Sequence, residues 1–323
     1  MKIVLPGGSG QVGRLLTRAF VRDGHEVVTL SRGSEQIQGA RVITWDGRTV
    51  GPWKNALERA DAVINLAGRS VNCRYTARNR REIIDSRVAS TRAVGAAIRQ
   101  AVDPPRVWLQ ASTATIYAHR LDAPNDEATG ILGGDEPGAP ETWRFSIGVA
   151  KQWERALEES LPLPATRTVL LRSAVVLSPD RGGIFDVLLG LVRHGLGGTV
   201  GDGRQYVSWI HEGDFVRAVR RLIEREHFTG PVILAAPNPL PNAEFMRVLR
   251  AAWGTRIGLP APALLLELGT ALMRTESELV LKSRRVMPGR LLADGFAFEF
   301  PHWPSAAADL CARWKTLRHA ARR

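Results

Sequence analysis

The chain has 323 residues and a formal net charge of +12, from 44 Lys and Arg against 32 Asp and Glu, which leaves room for one large domain or two modest ones. Its two cysteines, Cys73 and Cys311, fall in no pattern, which rules out a disulfide framework and points to a reducing, cytoplasmic setting. The longest apolar stretch, Leu259 to Met273, is interrupted by Pro260, Pro262 and Glu267 and is too short to span a bilayer, so no membrane partner is expected.

The first predicted element is a strand over Met1 to Leu5, and no signal peptide is expected. Gly7, Gly10 and Gly13 follow at three-residue spacing and lead into a helical pattern of Val12, Leu15, Leu16, Ala19 and Phe20. In a strand, glycine turn and helix of this order, a backbone without Cβ atoms can approach a diphosphate. The helix N-terminus adds free N–H groups and the positive end of its dipole. The run Gly7, Gly8, Ser9, Gly10, Gln11, Val12 and Gly13 is therefore the predicted diphosphate cradle. A second strand, Glu26 to Leu30, completes the βαβ unit. An acid just past that strand would bond a ribose 2′-hydroxyl; Ser31 and Arg32 stand there instead, and a guanidinium suits a 2′-phosphate. The predicted cofactor is NADP(H) rather than NAD(H).

Third and fourth strands are predicted over Val42 to Trp45 and Ala62 to Leu66. Ligands in doubly wound sheets sit at the carboxyl ends of the strands. Asp46 is accordingly a candidate for the adenine, or else a turn residue, and Leu66, Ala67 and Gly68 are candidates for the ribose. A long helix over about 78–100 presents Ile83, Ile84, Val88, Ala89 and Val94 on one face and ends before Pro104 and Pro105. A fifth strand, Val107 to Ala111, runs into STATIY (112–117). Residues 118–142 read as a polar surface loop, either a lid or a disordered segment. A helix over Phe145 to Leu161 and a strand over Arg167 to Leu171 close the alternation. The fold class is α/β, a Rossmann-like doubly wound parallel sheet.

Beyond Leu177 glycines crowd together, followed by SWIH (208–211) and a helix over about 212–226. A strand over Pro231 to Ala235 can rejoin the main sheet, and NAEF (242–245) opens another helix with Asn242 as its N-cap. The reading divides the chain into an NADP(H)-binding domain, 1–177, and a smaller, mostly helical C-terminal lobe, 178–323, that carries the substrate side. Basic residues, all but five of them arginine, are scattered apart from RNRR (78–81) and RHAARR (318–323), so no nucleic-acid partner is expected. Histidines and cysteines show no metal-ligand spacing, and GxSxG is absent.

Together these motifs resemble the short-chain dehydrogenase/reductase superfamily, and within it the atypical, epimerase-like branch called YfcH-like. The resemblance runs through GGSGQVG (7–13), SRG (31–33), NLAG (65–68), REIIDSR (81–87) and KQWE (151–154). Its most specific segments are GLGGTVGDGRQYVSWIH (195–211), APNPLPNAEF (236–245) and KSRRVMPGRLLADGFAFEFP (282–301). It implies an NADP(H)-binding fold related to NDP-sugar epimerases. Superfamily chemistry uses a Ser or Thr hydroxyl to hold the substrate oxygen, and a YxxxK pair to move the proton and hold the ribose. Ser112 or Thr113 supplies the hydroxyl, but the tyrosine is missing. Four residues before Lys151 stands Ile147, and registering the helix on Glu154 gives Ser146 and Ala150. Tyr117 is the substitute acid, or a packed aromatic; Lys151 reaches the ribose or a phosphate, or lies in solvent. By the resemblance, Arg87 stands where related epimerases carry a cofactor-supporting Asn. Gln205, Ser208, Trp209 and His211 face the substrate cleft, with Trp209 stacking on a flat ligand and His211 exchanging a proton or holding backbone. The expected activity is that of an NADP(H)-dependent oxidoreductase or NDP-sugar-epimerase-like enzyme on a small molecule, as monomer or homodimer. The alternative is an NADP(H)-sensing binding protein that acts through a protein partner.

Overall fold

The computed structural model describes residues 1–260 and 281–320, so most of the 259–273 stretch lies outside the described residues. The first half of the chain forms β1 (Lys2–Pro6), α1 (Gln11–Arg22), β2 (Glu26–Ser31), β3 (Arg41–Thr44), β4 (Ala62–Asn65), α2 (Ala77–Gln100), β5 (Val107–Thr113) and α3 (Glu141–Glu158). It continues with β6 (Arg167–Ser173), β7 (Val175–Leu177), α4 (Ile184–Arg193), β8 (Tyr206–Val207), β9 (Trp209–His211) and α5 (Glu212–Glu224). The last described elements are β10 (Gly230–Leu234), β11 (Leu240–Pro241), α6 (Asn242–Trp253), α7 (Gly289–Ala293) and α8 (Trp303–Ala320).

Seven strands pair in parallel in the order β10-β6-β5-β4-β1-β2-β3. Their runs of Val, Ile and Leu are buried on both faces, as a sheet covered by crossover helices requires. In β1, Ile3 and Leu5 enter a core with Leu16 and Phe20 of α1 and Phe215 and Leu222 of α5. Val4 between them enters the opposite core, with Val94 and Ile98 of α2 and Leu157 of α3. Period-two alternation thus feeds two layers of helices. The strand order reverses at β1, which has β2 on one side and β4 on the other, and a ligand crevice opens at such a reversal.

β10 lies at the edge of this same sheet, with Val232 opposite Leu171 of β6, so the chain returns to the Rossmann layer after residue 178. A third core gathers Trp209, Phe245, Trp303, Leu310 and Trp314 between α4, α6 and α8. Segment 118–142 is tied down: Ala118 N donates to Ile131 O at 2.8 Å, and Asn125 bridges to Val286. Asn242 is not the cap of α6. Pro241 takes that place, and the Asn242 Oδ1 accepts from Val200 N at 2.9 Å, so its side chain anchors the glycine-rich segment.

Candidate functional site

The chain leaves β1 through Gly7, at φ +78°, where a Cβ would stand 2.7 Å from the Ala67 backbone. Gly13 is constrained from the other side, since a Cβ there would fall 2.4 Å from Gly8 Cα. Both positions require glycine if α1 is to press against the turn. Gly10 is the N-cap of α1 and has no side chain to close it, so the N–H groups of Gln11, Val12 and Gly13 have no acceptor within the helix. Free donors and a positive helix end make this an anion seat. The Ser31 hydroxyl donates to Ser9 Oγ at 3.0 Å and locks the turn to the end of β2. The Gln11 amide lies against Gly183, the N-cap of α4. Arg14 is spent on Ser9 O and Glu35, whereas exposed Arg32 has no hydrogen bond or ion pair among the described residues.

Asp46 follows β3 and is consumed by its own turn. One oxygen accepts from Arg48 N and Thr49 N at 2.8 and 2.9 Å, the other from the Thr49 hydroxyl at 2.5 Å, and these bonds hold its carboxyl below the ordinary range. Leu66 N donates to Pro6 O, and Ala67 N donates to the buried Asn65 amide, so NLAG is fixed against the glycine turn. Arg87 of α2 packs beside Gly68 and over the Trp153 ring, its guanidinium 5.0 Å from the ring centroid. Its Nη1 donates to the Arg69 and Ile83 carbonyls, and burial pulls its pKa down to about 10. Among the described residues no carboxylate pairs with it.

At the ends of β5 and β6 the structure joins four side chains. Ser112 Oγ donates to Glu154 Oε1 at 2.5 Å, and Arg172 grips both Glu154 oxygens, at 2.9 and 2.7 Å. Arg172 Nη1 donates to Tyr117 Oη at 2.9 Å. All four are at least nine-tenths buried, and burial raises the Tyr117 phenol above its ordinary value. Tyr117 is therefore a packed aromatic held by Arg172. Thr113 points to the opposite side of β5 from Ser112 and is half-buried, its Oγ1 accepting from Thr115 N at 3.2 Å. Lys151 lies 3.5 Å from the exposed carboxylate of Asp135 in the 118–142 loop.

The residues expected in a substrate cleft around β8 and β9 are buried or bonded within the fold. Trp209 is fully buried against Trp303, at 5.1 Å between ring centroids, and has no face for a ligand. His211 is the N-cap of α5: Nδ1 accepts from Gly213 N at 3.1 Å and Nε2 meets Asp309 at 3.0 Å. Both nitrogens are occupied, one of them by the α5 backbone, and burial keeps its pKa below the ordinary value. Gln205 is buried, its amide donating to Val200 O. Ser208 Oγ donates to Arg284 O at 2.7 Å.

A profile for the NAD dependent epimerase/dehydratase family matches residues 3–234. The chain belongs to this family. A second profile, a domain of unknown function (DUF1731), matches residues 261–310. The human epimerase family protein SDR39U1 is 33% identical over 97% of this chain and 100% of its own length. The Bacillus subtilis epimerase family protein YfhF is 29% identical over 98% and 100%. The crystal structure of human SDR39U1 (isoform 2) with NADPH superposes with a TM-score of 0.82 at 32% identity, covering 97% of this chain and 99% of that one. A nucleoside-diphosphate sugar epimerase from Corynebacterium glutamicum gives 0.74 at 26%, over 99% of this chain and 61% of that one.

Within this epimerase-family framework, residues 282–290 do work that motif reading missed. Buried Lys282 donates to the Thr115 and Tyr117 carbonyls at 2.8 and 2.6 Å. Ser283 ties His119 and Arg120 to Tyr206, and Arg284 Nε donates to Thr115 Oγ1 at 3.0 Å. Arg290 reaches the Thr229 and Pro231 carbonyls beside β10. The segment clasps the loop after β5, the β8 region and the sheet edge into one wall. The run KSRR was the available signal, because a buried lysine needs carbonyl or carboxylate partners.

Proposed function

We propose that the chain is an NADP(H)-dependent oxidoreductase or epimerase-like enzyme acting on a small carbonyl-bearing or nucleotide-sugar-like substrate. The observation that carries this reading is the pairing of an α1 N-terminus without a side-chain cap with Arg32, just past β2, which has no partner among the described residues. The donor set fits a dinucleotide: first-turn N–H groups for the diphosphate, and a guanidinium for a 2′-phosphate. The human relative crystallised with NADPH supports the same choice. Gly68 and Arg87 would border the ribose side.

Bound cofactor supplies or accepts the hydride. Of the two hydroxyls, we assign the substrate oxygen to Thr113, because the Ser112 proton is committed to Glu154 while Thr113 donates to no described residue. With the Tyr117 hydroxyl enclosed and tied to Arg172, water is the assigned proton source. The lobe built on α4, α6 and α8 would cover the substrate side.

The test is a fluorescence titration with both coenzymes. NADPH is expected to bind saturably, and Arg32→Ala to weaken it about tenfold or more, the worth of one charge-assisted contact, while leaving NADH unchanged. Equal loss for both coenzymes, or no loss, would overturn the assignment of Arg32. NADPH bound tightly but never consumed across a panel of carbonyl compounds and nucleotide sugars would favour the sensing protein, which the missing YxxxK tyrosine motivates.

A further inference from the structure

A cationic hollow formed by α4, α6 and α8 carries charges that neither the fold nor the proposed chemistry uses. It is a cavity of about 630 Å³ lined by Arg181, Arg193, Lys315, Arg318, Trp253 and Trp314, within the size range of small-ligand sites. The Asp186 carboxylate in its wall is already spent. Its Oδ1 accepts from Trp314 Nε1 at 2.7 Å and Arg318 Nη2 at 2.8 Å, and its Oδ2 accepts from Gly182 N at 2.8 Å.

Two of the other cations, Arg193 and Lys315, are held by rings rather than acids. The Arg193 guanidinium stands 4.7 Å from the Trp314 ring centroid and 5.8 Å from that of Trp253, and Lys315 Nζ lies 4.5 Å over Trp253. Ring contacts fix where these heads lie without using their N–H donors. Among the described residues, Arg181, Arg193 and Lys315 make no hydrogen bond or ion pair with a carboxylate. Three positive charges without a carboxylate partner among the described residues therefore line one hollow, and a bound anion of matching charge would relieve their mutual repulsion.

We propose that this hollow binds a small polyphosphate, a molecule presenting two or three linked phosphate groups. Guanidinium forks donate in pairs to phosphate oxygens, and Lys315 adds a compact point charge. The lining residues of three helices surround one open hollow rather than following a track, which favours a compact ligand over a nucleic-acid backbone. None of the residues of the cofactor turn, which is built on β1 and α1, lines the hollow.

The experiment is calorimetric titration of inorganic tripolyphosphate, with ATP in parallel, into the full chain held with excess NADPH so that the glycine turn does not contribute. Saturable binding is expected, at least tenfold tighter than orthophosphate. The double substitution Arg193→Gln and Lys315→Gln, at exposed positions, is expected to weaken it at least tenfold. Arg32→Ala is expected to leave it unchanged, so a failure of the cofactor reading does not carry this one with it. ATP matching or exceeding tripolyphosphate supports the site with a nucleotide as the phosphate source, and tripolyphosphate exceeding ATP supports it with a free polyphosphate. Binding that ignores the double substitution, no binding, or preferential displacement by poly(U) would overturn the proposal.

Discussion

At the β1–α1 turn, donors are left over: the first-turn N–H groups of α1 and the Arg32 guanidinium have no acceptors among the described residues. At the ends of β5 and β6, Ser112, Glu154, Arg172 and Tyr117 satisfy one another and shut out water. Both regions border the same crevice and both are dense in polar groups. They differ in whether that polarity is still available, and availability rather than polarity marks where a ligand belongs.

The contrast breaks most sharply at Arg172. Arg172→Leu strands the Glu154 carboxylate at a site where the two side chains are 10% and 7% exposed. It should cost about 3–5 kcal/mol, read as a lowered urea midpoint, with NADPH affinity of the folded remainder unchanged. A loss under about 1 kcal/mol would mean that the quartet is not the closed structural unit described. Gly13→Ala tests the other region. Its Cβ must displace Gly8 backbone, which should cost about 1–3 kcal/mol and weaken NADPH at least tenfold. Stability lost with NADPH affinity intact would separate the glycine turn from the cofactor.

The smallest effect concerns His211, which belongs to the closed kind although it was expected to face a ligand. Burial keeps its folded pKa below the ordinary value, so the unfolded chain takes up a proton that the folded chain refuses. Its contribution to stability is complete above the unfolded value of about 6.5, and is lost as pH falls from there through the folded value. His211→Asn retains a capping side chain and should flatten that slope in denaturation midpoints measured from pH 7.5 down to 5. An unchanged slope would mean that His211 titrates alike in both states.

The glycine turn was legible in the sequence because its geometry is local: strand, three spaced glycines and helix lie within residues 1–22. The closed quartet was not, because Ser112 meets Glu154 from 42 residues away, and Arg172 meets Tyr117 from 55. Nothing in STATIY or KQWE announces which hydroxyl already donates its hydrogen bond to a carboxylate. SWIH misled for the same reason, since its indole and imidazole look available until Trp303 and Asp309 come to meet them from the far end of the chain. Asn242 reads as a cap because the preference is local, whereas its bond to Val200 is not.

The clasp formed by residues 282–290 also bears on how the protein is made. The carbonyls of Thr115 and Tyr117 emerge from the ribosome long before the ammonium of Lys282 that covers them. Through most of translation this wall of the crevice lacks its keystone, even where the strands behind it can already pair. Ribosomes stalled before position 282 would therefore hold a nascent chain that chaperones and proteases can still recognise as unfinished.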